Sequence, residues 1–287
     1  MDSLTPQPEG PEVPDAPLSK RVSVVIVSLQ RVESLRRSLE LLGDTHQVIV
    51  VDNGSSDGAG TLDAEFPGVQ YSRLPKNFGL TKALNIGLRA IEGEYILCLH
   101  DDTRITADAV SRLADYLEAH PEAGAVSPLL TDDSGRPVPQ VRALPTPANP
   151  DPELVPPTAI GEEIPVDSVS GAAIMFRAFF LRALRTIDER YGTYGGTVEI
   201  CAQMRRSGKK VVILCGVTAV HEGLRSPVPA NILDADRAAG TAAFLGKHHG
   251  FASGLIYRLK TGLSAFFTLR FSLLAGAISG QKIDGSG

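Results

Sequence analysis

The stretch Tyr95-Ile-Leu-Cys-Leu-His-Asp-Asp-Thr103 decides how this chain is read. An apolar run with the character of a buried strand ends abruptly at His100 and two adjacent carboxylates, Asp101 and Asp102. Unpaired charge beside a core is costly, so paired acids at such a point need a reason. At the carboxyl edge of a parallel sheet they are placed to hold a divalent cation, whose other oxygen ligands include a substrate's phosphates. Equally, Asp102-Thr103 can simply open the helix expected near Thr106–His120, because acids cap helices. These nine residues leave both readings open.

Working outward, Val22-Ser-Val-Val-Ile-Val27 is a β-branched run typical of a central strand. The spacing of Leu35, Leu39 and Leu42 predicts a helix over Val32–Leu42. Val48–Val51 reads as a second strand, Val69–Arg73 as a third, Leu80–Ile91 as a helix and Tyr95–Leu99 as a fourth strand. Strand and helix alternating at this interval indicate βαβ units and an α/β, mostly parallel sheet flanked by helices. Further on come a strand at Ala123–Leu130, a turn at Thr131–Gly135 and strand-like Val166–Phe176. A helix near Val198–Ser207, a strand at Lys210–Leu214 and a helix near Ala230–Lys247 follow. Residues 144–165 hold seven prolines and are read as a long loop, a feature that is functional or disordered in compact domains. Residues 1–20 hold five prolines among acids and small residues and are read as a disordered arm. The expected organisation is thus an arm over 1–20, one catalytic-type domain over 21–228 and a helical extension over 229–287.

A chain of 287 residues that is 43% hydrophobic can bury a large core. Cys98, Cys201 and Cys215 are widely spaced in apolar settings, which fits reduced thiols of a cytoplasmic protein and excludes a CxxC zinc or redox motif. The N-terminus lacks the basic-then-apolar start of a secretory signal. The net charge of −5 conceals an asymmetry: between Arg237 and Ile283 there is no Asp or Glu, while six basic residues fall there. An acidic body with a basic tail argues against general nucleic-acid binding and for a local anionic partner.

After the second strand comes Val51-Asp-Asn-Gly-Ser-Ser-Asp-Gly58. An acid at the tip of a βα turn can accept hydrogen bonds from a ribose or base, and glycines let the backbone approach a ligand. An ordinary Asx-Gly turn would look the same. The first βα turn, Ser28-Leu-Gln-Arg31, is not a GxGxxG fingerprint, and no Walker A sequence is present.

Taken in order, the first strand, the VDNGSSDG turn, Asn77-Phe-Gly79 with Ala83-Leu-Asn-Ile-Gly87, and LHDDT resemble the inverting glycosyltransferases of family 2, which have the Rossmann-like GT-A fold. The similarity runs from about Val22 to Lys282 and is greatest to bacterial rhamnosyltransferase-like members. The resemblance implies a nucleoside-diphosphate sugar donor, a glycan or lipid-linked acceptor and Mg²⁺ or Mn²⁺. It places Asp52 at the nucleoside and Asp102, with His221 of Val220-His-Glu-Gly, at the metal. Ser28, Asn53, Asp57, Asn77, Lys82, Asn85, His100 and Asp101 are expected around the nucleotide sugar. His100 stands where the family often has an acid that contacts the ribose. Val169–Arg177 resembles a small-residue segment beneath the acceptor, although tight strand packing calls for the same residues.

One departure bears on catalysis. The segment Ile187-Asp-Glu-Arg-Tyr-Gly-Thr-Tyr-Gly-Gly-Thr-Val-Glu-Ile-Cys201 leads up to the family's Glu-Asp pair, but Gly196 and Thr197 stand in its place. Neither is a base near neutral pH. The nearest substitute is Glu199, expected in a helix's first turn, where favourable charge at a helix N-terminus is an alternative role. Asp188 and Glu189 are further candidates. The second reading of the chain is therefore a binding or scaffold subunit that has lost its base.

In the tail, Leu255, Leu259, Leu263 and Phe266 make an apolar helical face among Arg258, Lys260 and Arg270. No uncharged run reaches the length of a membrane span. A peripheral contact with an anionic membrane, at the inner face of the cell, or packing on the body or a second subunit both fit.

Overall fold

A computed structural model of the chain describes residues 21–158, 161–184, 187–271 and 273–275; the arm over 1–20 and the end of the extension, Lys282 included, lie outside them. The elements in chain order begin with β1 (Val22–Ser28), α1 (Val32–Leu42), β2 (Gln47–Asp52), β3 (Gln70–Arg73), α2 (Leu80–Gly87) and β4 (Tyr95–His100). Then come β5 (Thr103–Arg104), α3 (Ala107–Ala119), β6 (Ala123–Thr131), β7 (Val141–Arg142), β8 (Glu163–Val166), β9 (Ser168–Val169) and β10 (Ala173–Arg177). The chain continues through α4 (Ala178–Leu184), α5 (Gly192–Arg206), β11 (Lys210–His221), α6 (Ala230–His249) and α7 (Phe251–Phe267).

One sheet carries the site, in the order β3-β2-β1-β4-β10-β6-β11-β5, with β8 also paired to β11. β3, β2, β1 and β4 are parallel, as are β6 and β11, while β10 runs antiparallel to both neighbours. The β-branched runs occupy its centre because both faces are covered. Val22, Val24, Ile26, Leu97 and Leu99 pack with Leu35, Leu39 and Leu42 of α1 and Val110, Leu113 and Leu117 of α3. Val25, Ile49, Ile96 and Cys98 pack on the opposite side with Leu84 of α2 and Ile200, Cys201 and Met204 of α5. Period-two alternation thus feeds two separate cores.

Four elements differ from their sequence expectations. The expected Leu80–Ile91 helix stops at Gly87, where the Leu88–Ala90 turn takes over with tighter hydrogen bonds from Arg89 N to Ile86 O and Ala90 N to Gly87 O. Strand-like Val166–Phe176 is broken into β8, β9 and β10, since Ser170-Gly171-Ala172 bends between neighbours and His100 N donates to Ala172 O. β11 does not end at Leu214. A register shift between Leu214 and Thr218 lets it run on to His221. Finally, α5 begins at Gly192 rather than Val198, through a glycine-rich turn of low intrinsic helix propensity. Close packing explains those glycines: a Cβ on Gly196 would lie 3.2 Å from Ile187 Cγ2 and 3.3 Å from Thr81 Oγ1.

Candidate active site

Parallel pairing brings three strand ends to one edge. Ser28 of β1 is level with Asp52 of β2, and Val27 with His100 of β4. Beyond them, β5 pairs antiparallel with the end of β11, setting His221 opposite Thr103. The β11 bulge and this short pairing are what carry His221 to Asp102. The resulting cavity, about 320 Å³, is lined by Leu29, Arg31, Asn53, Asn77, His100, Asp101, Asp102, Thr193 and His221, and by the segment from Gly223 to Val228.

The two acids are held differently. Asp101 accepts from Leu29 N at 3.0 Å through Oδ2 and from Arg31 Nη1 at 3.0 Å through Oδ1. Burial raises its pKa, and Arg31 opposes that rise. Asp102 Oδ2 lies 2.9 Å from Arg31 Nη1 and accepts from Leu224 N at 3.0 Å. Its Oδ1 is buried without a hydrogen-bond partner, 3.4 Å from His221 Nδ1 and 3.9 Å from His100 Nδ1. Burial alone would raise the Asp102 pKa, but His221, His100 and Arg31 outweigh it and hold the carboxyl down at about 2. Burial likewise lowers the pKa of His100, more strongly than Asp102 raises it, so the ring is neutral at physiological pH.

A hard dication needs several oxygen ligands. No group of three or more Asp, Glu, His or Cys side chains forms a ready-made metal cage among the described residues. A carboxylate oxygen without a hydrogen-bond partner, beside an imidazole Nδ1 that meets Thr103 Oγ1 at 3.1 Å, does, however, suit an ion that takes one or two protein ligands and completes its shell with phosphate oxygens and water. Asp102 Oδ1 and His221 fit that role.

The remaining sequence candidates divide. Asn53 and Asn77 line the cavity and bond each other at 2.9 Å, and Asn53 Oδ1 also accepts from Phe78 N. Asp52 is buried at the same edge and accepts from Ser55 N at 2.9 Å. Gly54 beside it has φ +87, and a Cβ there would come within 2.6 Å of the Lys76 backbone, so only glycine fits this close approach. Ser28 is buried beside Asp52 in the sheet register. Asp57 instead caps α1, accepting from Val32 N at 2.7 Å. Lys82 is exposed on α2 with its ammonium 4.8 Å above the Phe78 ring. Asn85 turns the other way and clasps the backbone N–H and carbonyl of Ile187, both at 2.8 Å. None of these three lines the cavity, and the buried Asp52 and Ser28 stop short of it as well.

The base candidates also lie elsewhere. Glu199 sits two turns into α5, not in its first turn as the sequence suggested. Its carboxylate, 2% exposed, receives Lys247 Nζ at 2.7 Å, His248 Nε2 at 2.6 Å and Gln203 Nε2 at 2.7 Å. It is an ionic tie between α5 and α6, outside both cavities. Asp188 caps a single 3₁₀ turn and pairs with Arg190 at 2.6 Å. Thr197 lines a second, more apolar cavity of about 140 Å³ that shares Val27, Leu80, His100 and Thr193 with the first. Its other walls include Leu84, Leu154, Val169, Gly171, Ile174 and Phe176. No carboxylate lines it among the described residues.

Sequence reasoning missed Arg31 and the segment after β11. Arg31 bridges both acids and donates from Nη2 to the carbonyls of Leu224 at 2.9 Å and Arg225 at 3.0 Å, pinning that segment over the cavity. The available signal was a cation in the first βα turn facing two acids in the fourth strand's turn. Adjacent parallel strands make those turns neighbours.

Residues 23–180, more than half of the chain, match the family described as glycosyl transferase family 2, and the chain belongs to that family. The N-acetylglucosaminyl-diphospho-decaprenol L-rhamnosyltransferase of Mycobacterium tuberculosis is 25% identical over 235 residues, covering 70% of this chain and 75% of that protein. A poly-beta-1,6-N-acetyl-D-glucosamine synthase of Staphylococcus epidermidis is 31% identical over 98 residues, 33% of this chain; the match spans only 24% of that relative's length. Among solved structures, the mannosyltransferase PcManGT from Pyrobaculum calidifontis, in complex with GDP-Man and Mn²⁺, aligns with a TM-score of 0.55 at 17% identity. The alignment covers 91% of this chain and 76% of that one. S. aureus TarS in complex with UDP-GlcNAc gives 0.56 at 16% identity, covering 87% and 72%. At these identities the likeness is one of fold, and the fold is GT-A.

Proposed function

We propose that this chain is an inverting, cation-dependent glycosyltransferase. It would move a hexose, rhamnose being the leading candidate, from a nucleoside diphosphate to a cell-surface glycan or lipid-linked acceptor. The observation that carries this reading is the orphaned Oδ1 of Asp102 beside His221, at a strand edge where Asn53 and Asn77 line the cavity and offer polar groups to a nucleotide, with Asp52 buried at the end of β2. The rhamnosyltransferase relative, matched over most of both chains, supports the choice of sugar and acceptor.

Asp52, Asn53 and Asn77 would seat the nucleoside end of the donor, and Arg31 keeps the paired acids and the closing segment in position. Mg²⁺ or Mn²⁺ held by Asp102 and His221 would supply charge stabilisation to the leaving diphosphate. The first cavity takes the nucleotide and the second the sugar and incoming hydroxyl, which attacks the face opposite the leaving group and so inverts the anomeric carbon. Thr193 and His100, where the cavities meet, and Thr197 of the second would orient that hydroxyl. Proton removal ordinarily falls to a carboxylate. The absence of one from the second cavity's described lining favours a second reading, a nucleotide-binding subunit with impaired catalysis.

Release of nucleoside diphosphate from UDP-, GDP- and dTDP-sugars, with lipid-linked and soluble glycan acceptors, separates the two. Acceptor-dependent release is expected from the transferase. Donor binding without release against any acceptor would leave the impaired subunit.

A further inference from the structure

The last helix, α7, is packed inside out. α7 turns its small residues toward α6: Gly254 and Ala265 are buried, and a Cβ on Gly254 would clash with Ala242 O and the Gly246 backbone. α6 answers with Ala238, which clusters with Ala265, and with Ala242 and Gly246 opposite Gly254. The large side chains face outward instead. Leu255, Leu259, Leu263 and Phe266 form one stripe, with Phe251 and Phe267 at its ends, exposed from 44% at Leu255 to 81% at Phe251. Leu269 and Phe271 extend it past the helix end, at 72% and 68%. Elsewhere in the described chain large apolar side chains are exposed only singly, at Leu41, Val155, Phe179 and Leu224. A contiguous apolar patch of this kind marks a binding surface.

Charge selects the occupant. Lys260 is exposed on the same helix, Arg258 lines the groove with Leu255 and Leu259, and Arg270 follows the stripe, paired with Asp234. No acidic residue occurs between Ala238 and Ile283. No helix among the described residues is long and apolar enough to cross a membrane. A helix with Leu and Phe on one side, basic residues beside them and no acids suits the interface of an anionic bilayer, where it lies in the plane of the surface.

We propose that the outward Leu/Phe face of α7 rests on an anionic phospholipid surface. The same helices hold the Pro-rich loop. Asp151 accepts from Thr241 Oγ1 at 3.0 Å and Tyr257 OH at 2.7 Å, and Pro145 O accepts from His249 Nε2 at 3.0 Å. Leu154 of that loop lines the second cavity. On the transferase reading, the surface that binds lipid is thereby tied to the cavity that receives the acceptor.

The test is flotation of the full chain with vesicles of phosphatidylglycerol mixed into phosphatidylcholine, against pure phosphatidylcholine, without donor or acceptor. Failure of the transferase reading therefore leaves the result intact. The wild type is expected to float with the anionic vesicles, less so as salt rises. Leu259→Glu with Leu263→Glu should weaken binding at least about tenfold, since two leucines no longer enter the interface. Its melting temperature should stay unchanged because both positions are exposed. Phe267→Glu provides the same reading should that pair fail to fold, and Lys260→Glu should weaken binding by a smaller factor. Wild type that floats with neither vesicle, or equally with both, overturns the proposal. So does a dimer in sedimentation velocity that these substitutions dissolve without any lipid binding, for then a second copy covers the face.

Discussion

Asp102 is the residue on which the site turns. With its carboxyl held at about 2, below the ordinary value of about 4, it contributes stability that is fully present above about pH 4. That contribution is lost as the pH falls through 2, and the shift corresponds to about 2 kcal/mol. Asp102→Asn should therefore flatten the acid limb of a stability-versus-pH curve between 4 and 2, measured by urea unfolding; an unchanged limb would mean the carboxylate is not held as described. Glu199 makes the contrasting case. Removing a buried carboxylate that receives two basic side chains should cost about 3 kcal/mol, because buried His248 is left without its partner, whereas Lys247, 40% exposed, turns to water. Glu199→Ala should lower the unfolding free energy by that amount, and Glu199→Gln by less. If Glu199 is only this tie, turnover per folded molecule survives Glu199→Gln. Loss of turnover with stability intact would make it catalytic after all.

At the scale of elements, two turns and one helix shape the site. The turn after β2 brings Gly54, at positive φ, against the Lys76 backbone in the turn after β3. Gly54→Ala should cost about 2 kcal/mol or more and weaken nucleotide binding, checked by denaturant unfolding and nucleotide titration. In α5, Gly196 is pressed against Thr81 and Ile187, so an acid there has no room, whereas Thr197 faces the second cavity beside His100 and Gly171. Thr197→Asp should consequently raise acceptor-dependent turnover tenfold or more if the missing base limits the rate, a gain within the usual reach of general base catalysis. Unchanged or lower turnover would show that the proton leaves by another route.

For the whole molecule, the layered architecture follows from patterns the sequence displays openly. Val22–Val27, Val48–Val51 and Tyr95–Leu99 are apolar runs, broken only at Ser23, because each strand is covered on both faces, and that signature survives without any structure. Asp101–Asp102 was visible for the same reason, since charge interrupts the run at the sheet edge. What stayed hidden depended on contacts distant in sequence. Arg31 gains its meaning only once β1 lies beside β4, and His221 only once the β11 bulge and the Thr103 pairing carry it across. The position of Glu199 in its helix was hidden because α5 starts six residues before Val198, where glycines packed against Thr81 and Tyr191 disguise a helix. The thiols report on the two-sided core directly. Burial pushes Cys98 and Cys201 up to about 12, whereas Cys215 is only half-buried. Maleimide at neutral pH should label at most Cys215 in the native protein and all three cysteines in guanidinium; rapid native labelling of Cys98 would contradict the packing.

The most direct measurement is calorimetric titration of nucleoside diphosphates with Mn²⁺ into wild type and Asp102→Asn. At least one nucleotide should bind the wild type in a Mn²⁺-dependent manner and lose at least about tenfold in affinity in the variant, the scale of one metal-bridged contact. Mn²⁺-independent binding that Asp102→Asn leaves untouched, or no binding by any nucleotide, would contradict the assignment of this strand edge as the donor site.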